Sequence, residues 1–168
     1  MYFKEFNDIQ SSIHHLNEVL IPEIRKEISS LNAYIQTKPS EDACQLQFYI
    51  LVTNFEQEFE KLIRLLNMVF LPAFSAHEGG HTQFNEFKVL RAAHKRLYRI
   101  LGNLRNICNE YVMEENWSDC KKLNCMNSHQ LELKFLNYFN FTESTIIPLI
   151  QGLTVVPTNN DIDVIKRD

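Results

Sequence analysis

Glycine and proline are scarce in this chain, with four glycines and five prolines among 168 residues. A sandwich or barrel of many short strands needs more turn-forming residues, so the scarcity favours a helical fold. A basic surplus is also missing: the formal net charge is −4, which argues against a nucleic-acid-binding surface. With 45% hydrophobic and 23% charged residues, the chain is typical of one globular domain with a substantial core rather than of a disordered protein.

Long apolar runs are absent as well. The N-terminal residues are charged from Lys4 onward, so we expect no secretory signal, and no stretch approaches the roughly 20 apolar residues of a membrane helix. The cysteines could form two disulfides but lack the C-x-x-C spacing of a zinc site: Cys44, Cys108, Cys120 and Cys125. Because a core of this size needs no covalent cross-links, we favour free thiols in a cytoplasmic protein.

Apolar residues recur every three or four positions in four segments, which predicts four long helices. We place them at residues 6–35, 40–70, 84–112 and 127–150. Pro22 falls inside the first helix, where it removes one hydrogen bond and should kink the helix rather than end it. Ser40 is the candidate N-cap of the second helix, and Asn127 with Gln130 forms a capping-box-like pair at the start of the fourth.

Polar connections of short or moderate length separate these helices. Such connections force neighbouring helices to run antiparallel, so the predicted fold is all-α, an up-down-up-down four-helix bundle over residues 1–152. Residues 153–168 are polar with a few β-branched side chains, and we interpret them as a C-terminal tail or linker.

Histidine and proline occur on these helices in a recognisable pattern. The first helix carries His14 and then Pro22, and the third carries His94 and then residues 104–111, Leu-Arg-Asn-Ile-Cys-Asn-Glu-Tyr. The second and fourth helices end in two apolar residues and a proline, and a cysteine follows the third helix: Pro72, Pro148 and Cys120. With these motifs, the chain resembles the hemerythrin-like (HHE cation-binding) family over about residues 10–150. It resembles most closely the bundle domain of di-iron proteins that repair iron–sulfur clusters.

The resemblance implies metal ligands in the interior of a hemerythrin-like bundle, but this sequence replaces most of them. Counted back from the two prolines, the family's His and Glu positions hold Leu62, Leu66, Tyr138 and Thr142. A register shifted by one residue would offer Phe139 and Glu143 on the fourth helix. His14 and His94 remain as candidate metal ligands, and two imidazoles cannot hold two irons that each take about five or six ligands. They could hold one metal ion weakly, with water completing its shell, or be partly buried histidines without a metal.

A retained scaffold with lost ligands predicts a degenerate hemerythrin-like domain with a sensory, regulatory or interaction role, such as the N-terminal part of a bacterial transcription regulator. The alternative is a non-haem iron protein that binds oxygen or nitric oxide, or that repairs iron–sulfur clusters. We expect no catalytic residues and no cofactor, with iron as the metal if one is bound. Expected partners are a second copy of the chain or a downstream DNA-binding domain. The chain itself should bind neither nucleic acid nor a membrane.

Other polar groups resemble sites by composition alone. Residues 77–81, His-Glu-Gly-Gly-His, have two histidines beside an acid, but the glycines predict a loop, whereas an H-E-x-x-H zinc site needs a helix. Glu18 lies one turn after His14 and could complete a site, although a solvated helix face is the simpler interpretation. We interpret the remaining candidates as solvated surface: Glu56, Glu60 and His129.

Overall fold

The computed structural model describes residues 9–37, 43–70, 72 and 84–149 of the chain. Within these ranges the chain forms four long helices and no strand, which confirms the predicted all-α class. The first long helix consists of α1 (Ile9–His15), π1 (Leu16–Leu20) and α2 (Ile21–Thr37), and the second of α3 (Ala43–Leu65) and π2 (Leu66–Phe70). The third is α4 (Phe84–Ile107), and the fourth consists of α5 (Asp119–Phe141) and π3 (Thr142–Ile146), after which residues 147–149 remain helical.

A π-helical turn ends two residues before a proline in three of the long helices: Pro22 after π1, Pro72 after π2 and Pro148 after π3. Proline has no N–H, and its ring crowds the carbonyl four residues earlier. In π1 and π3, the N–H of the residue before the proline donates five residues back, from Ile21 to Leu16 and from Ile147 to Thr142. The wider turn accommodates the proline, so the first helix continues through Pro22 as predicted.

The third long helix ends earlier than predicted. It stops at Ile107 rather than Val112, because three consecutive residues after Cys108 adopt positive φ angles of 49°, 53° and 65°: Asn109, Glu110 and Tyr111. Left-handed residues cannot continue a right-handed helix. They form a short 3-10 turn that leads into the loop at residues 112–118.

The fourth long helix begins earlier than predicted. Its N-cap is Ser118, whose side-chain oxygen accepts a hydrogen bond of 3.3 Å from the N–H of Lys121. The prediction of a start at Asn127 was therefore wrong, and the supposed capping pair lies inside α5. Cys120 belongs to the first turn of α5 rather than to the segment between helices.

The centre of the core is aromatic. Phe55 of α3 packs edge-to-face on Phe135 of α5 with ring centroids 5.7 Å apart. Phe59 makes the same kind of contact with Tyr138 at 6.1 Å, and none of these four side chains is exposed. Such pairs contribute about 1 kcal/mol each beyond the apolar area that they bury. They fill the space between α3 and α5 with rings rather than with polar groups.

Polar contacts join the helices at their surfaces. Arg25 of α2 forms a bidentate ion pair with Glu60 of α3, at 2.8 and 2.9 Å, and Asn32 donates to Glu56 at 2.8 Å. The two glutamates predicted to form a solvated face therefore connect α2 to α3. The exposed ion pair contributes little to stability, but its two parallel bonds fix how the helices face each other.

Several predicted features lie outside the described residues: the Ser40 cap, the loop at residues 77–81 and the tail at residues 153–168. All four cysteines are free thiols, as the sequence predicts. Among the described helices, none combines the length and the apolar character that crossing a bilayer would require.

Candidate functional site

His94 is a buried histidine in the middle of α4, with 1% of its surface exposed. Its Nδ1 lies 3.7 Å from Oε1 of Glu143 in π3, and its Nε2 lies 3.5 Å from the hydroxyl of Tyr138 in α5. We call His94, Tyr138 and Glu143 the His94 cluster. It is the place where a buried imidazole, a phenol and a carboxylate meet beside the aromatic core.

Aromatic rings surround the imidazole of His94. Its ring lies edge-to-face with those of Phe139, Tyr138 and Phe135, at centroid distances of 5.1, 5.7 and 6.4 Å. Burial among these rings lowers the pKa of His94 to about 4, although the nearby Glu143 carboxylate partly opposes the shift. His94 is therefore neutral at pH 7.

Glu143 is held in place from the protein surface. Its Oε2 accepts a hydrogen bond of 3.2 Å from Arg91, which lies one turn before His94 on α4. Its Oε1 points inward, and neither this atom nor Nδ1 of His94 has a hydrogen-bond partner. Such unpartnered buried polar atoms are costly and uncommon. The two unpartnered atoms lie 3.7 Å apart, one on an imidazole and one on a carboxylate.

Tyr138 and Thr142 complete this part of the interior. Burial raises the pKa of Tyr138, so its phenol stays protonated. The hydroxyl of Thr142 donates 2.9 Å to the backbone carbonyl of Tyr138, one turn earlier. Both side chains have 0% exposure. Neither residue offers the anionic oxygen that an iron ion would favour.

The positions that the resemblance assigns to metal ligands are occupied by core side chains. Leu62 and Leu66 are each 1% exposed and share one face of the second long helix. Tyr138 and Thr142 are buried as well, so these four positions supply no imidazole and no carboxylate. In the described part of the chain, no group of three or more His, Cys, Asp or Glu side chains is placed to hold a metal ion. The donor set does not fit a di-iron centre.

The two histidines predicted as ligands lie in different environments. His14 is on the exposed face of α1, whereas His94 is in the core. The neighbouring His15 is half-buried, and its ring packs edge-to-face on Phe141 at 5.0 Å. Whether His14 or His94 binds a metal ion therefore stays a prediction. His94 has the hydroxyl of Tyr138 at 3.5 Å and the carboxylate of Glu143 at 3.7 Å from its ring nitrogens.

Glu143 is the residue that a straightforward count from Pro148 missed. A count of six residues back from the proline leads to Thr142, but π3 adds one residue to the turn and brings Glu143 opposite His94. The one-residue shift considered from the sequence corresponds to this π turn. The proline after two apolar residues was the available signal, since the same ending follows π2.

Comparison with known proteins found no match: no family model, no curated protein and no solved structure is similar to this chain. The hemerythrin-like resemblance therefore stays a prediction that depends on the histidine and proline motifs. The placement of the His94 cluster, by contrast, depends only on the contacts among His94, Tyr138 and Glu143.

Proposed function

We propose that this chain is a regulatory or interaction domain of hemerythrin-like type whose interior is filled by side chains rather than built around a metal pair. The observation that carries this proposal is the burial of Leu62, Leu66, Tyr138 and Thr142, each at most 1% exposed, at the four positions where the resemblance implies ligands. A domain of this kind acts through its surface and through changes in packing, not through a pair of metal ions in its interior.

The energetics of the filled interior support this proposal. Burying a leucine side chain stabilises a fold by roughly 1.5–3 kcal/mol, whereas burying an unpaired charge costs several kcal/mol. Leu62 and Leu66 therefore stabilise the bundle where a histidine and a glutamate would need a metal ion to offset their desolvation. The bundle should fold and remain stable without metal.

We also propose the up-down-up-down topology of the resembling family. Along α2, the contact partners in α3 shift backwards, from Glu60 for Arg25 to Glu56 for Asn32. The third and fourth long helices behave alike, since Arg91 contacts Glu143 and Arg105 contacts Glu132. In both pairs of helices, the residue numbers of the contacts rise along one helix and fall along the other. This order supports antiparallel neighbours.

An exposed apolar stripe on α5 supports the interaction role. It consists of Leu123, Met126 and Leu133, which are 42%, 52% and 45% exposed and share one face of the helix at their spacing. Apolar side chains exposed on one helix face can be covered by a protein partner. The expected partners remain a second copy of the chain or a downstream DNA-binding domain. Light scattering across a range of concentrations tests the first, and a strict monomer would contradict it.

Metal analysis tests the filled interior. The purified chain is incubated anaerobically with a twofold excess of ferrous iron, desalted and analysed for iron by mass spectrometry. We expect far less than one iron per chain and no change in the thermal unfolding midpoint, because ligand binding to the native state would raise it. Two irons per chain with the absorption of an oxo-bridged pair would contradict the proposal.

The second candidate function is a non-haem iron protein, and the unpartnered Nδ1 of His94 and Oε1 of Glu143 favour it. These two atoms could hold a single metal ion if water completed its shell. About one metal per chain, lost in His94→Ala and retained in His14→Ala, would favour this candidate. Retention of bound metal in His94→Ala would exclude the His94 cluster as its site.

A further inference from the structure

Cys108 and Cys125 form a second buried pair of reactive groups, distinct from the His94 cluster. Cys108 follows the last residue of α4 and has 0% exposure, and Cys125 lies in the second turn of α5 with 2% exposure. Each thiol is close enough to the other to shift its pKa. The other two cysteines are more accessible, since Cys44 is exposed and Cys120 is half-buried.

Independent contacts between the same two stretches bring the cysteines together. Arg105, one turn before Cys108, donates 3.2 Å to Oε2 of Glu132 on α5. Beyond Cys108, the hydroxyl of Tyr111 donates 2.7 Å to the same oxygen, and its ring stacks on His129 with centroids 4.6 Å apart. Cys108 thus lies between two residues anchored to α5, and Cys125 lies one turn before His129 on the same face.

The surroundings make one sulfur the better nucleophile. The neighbouring Cys108 thiol lowers the pKa of the Cys125 thiol, and the Lys121 ammonium one turn earlier adds to the effect against the cost of burial. The neighbouring Cys125 thiol, with burial, raises the pKa of Cys108. Cys125 is therefore the thiol that ionises more readily.

The backbone beside Cys108 is strained. Asn109, Glu110 and Tyr111 all have left-handed φ angles, which cost roughly 1 kcal/mol or more for each residue that is not glycine. The loop that follows is mostly exposed, apart from half-buried Trp117. Strained turns and exposed loops open locally at a lower free energy than the whole domain, which gives small oxidants a route to the buried pair.

We propose that Cys108 and Cys125 are a modification site that a hydroperoxide oxidises reversibly to a disulfide. The Cys125 sulfur attacks one peroxide oxygen, the O–O bond breaks, and the departing oxygen takes up the thiol proton and leaves as an alcohol or water. The resulting sulfenic acid is attacked by the Cys108 sulfur, so that the S–S bond forms, the S–O bond breaks and water leaves with the Cys108 proton. Two thiols lose two electrons, and one hydroperoxide gains them.

The test uses the full chain with Cys44→Ser and Cys120→Ser, so that the buried pair is the only source of thiols. The reduced protein is treated with hydrogen peroxide under native conditions, denatured, alkylated and weighed. We expect a mass loss of about 2 Da with no alkylation, a peptide that links Cys108 to Cys125, and full reversal by dithiothreitol. Peptide mapping of the unsubstituted chain without reduction checks the same link should the variant fold poorly.

A matched variant that also carries Cys108→Ser identifies the attacking sulfur. It should form a sulfenic acid at Cys125 that dimedone traps, whereas the variant with Cys125→Ser and intact Cys108 should give at least tenfold less dimedone adduct. The proposal is overturned if the pair stays fully alkylatable at a peroxide dose that consumes free glutathione in the same tube. Oxygen addition without a link between Cys108 and Cys125 would overturn it equally.

Discussion

Nδ1 of His94 and Oε1 of Glu143 face each other at 3.7 Å in the bundle interior, and neither atom has a hydrogen-bond partner. The two residues lie on different long helices, 49 positions apart in the printed sequence. The π turn before Pro148 brings the carboxylate into this position. The response of the chain to pH and to replacement of Pro148 should therefore depend on this buried pair.

The stability of the protein should fall in mild acid because of His94. Its pKa is about 4 in the folded state, against 6.5 for the ordinary side chain, so the unfolded chain binds the proton first as the pH falls. The stabilising contribution of neutral His94 is fully present above pH 6.5 and is lost between pH 6.5 and 4. It amounts to about 3 kcal/mol. Urea unfolding at pH 7.5, 5.5 and 4.5 measures this change.

Two variants separate this effect from the titration of other groups. His94→Gln keeps a neutral polar side chain and should lose less stability than the unsubstituted protein over the same pH range. His129→Gln is the matched histidine substitution at an exposed position, against which the change in His94→Gln is compared. An identical pH dependence in His94→Gln and the unsubstituted protein would show that His94 is not buried in its neutral form.

Truncation of the buried Leu66 should destabilise the protein. Leu66→Ala removes a side chain that is 1% exposed and leaves a cavity, so we expect a loss of about 2–5 kcal/mol in the free energy of unfolding. Met68→Ala is the matched control within π2, since Met68 is 76% exposed and should lose less than about 0.5 kcal/mol. Similar losses for the two variants, measured by urea unfolding, would contradict the filled interior.

Replacement of Pro148 should move Glu143 away from His94. In Pro148→Ala, the new N–H of residue 148 can donate to the carbonyl four residues back, so π3 can relax to a regular α-helix. Each residue of an α-helix advances by about 100° around the axis, so loss of the additional residue of the π turn should rotate Glu143 by about this angle. Because Glu143 raises the pKa of His94, its departure should lower that pKa further, which NMR titration of the imidazole detects. Pro22→Ala alters π1 instead and should leave the His94 titration unchanged. Unaltered titration in Pro148→Ala would disprove the link between π3 and the cluster.

The N-cap of α5 should be Ser118 and not Asn127. Ser118→Ala removes the acceptor for the N–H of Lys121 and should cost about 1 kcal/mol in the free energy of unfolding. Asn127→Ala places a better helix former inside α5, so it should be neutral or slightly stabilising. The reverse order of the two variants in chemical denaturation would support the start predicted from the sequence.

The sequence predicted the helical class because a stripe of apolar residues marks each long helix. It misplaced the start of α5 because the first turns invert the usual pattern. Asn124 and Cys125 are buried there, whereas Leu123 and Met126 are 42% and 52% exposed. A search for apolar periodicity therefore sees a polar linker where the helix has already begun.

The π turns explain the other difference between sequence and structure. Counting back from the proline assumes a regular helix, and one additional residue in π3 makes that count select Thr142 instead of Glu143. A signal was present in the repeated heptapeptides at residues 16–22 and 66–72, which share Leu, Asn, Val and Pro at equivalent positions. The left-handed turn after Cys108 gave no such signal, since it contains no glycine.

The filled interior is tested most directly by a crystal structure of the protein after incubation with ferrous iron, with diffraction recorded at the iron absorption edge. We predict that Leu62, Leu66, Tyr138 and Thr142 occupy the space between the helices and that no anomalous peak lies among them. Two peaks joined by bridging carboxylates at this position would contradict the account.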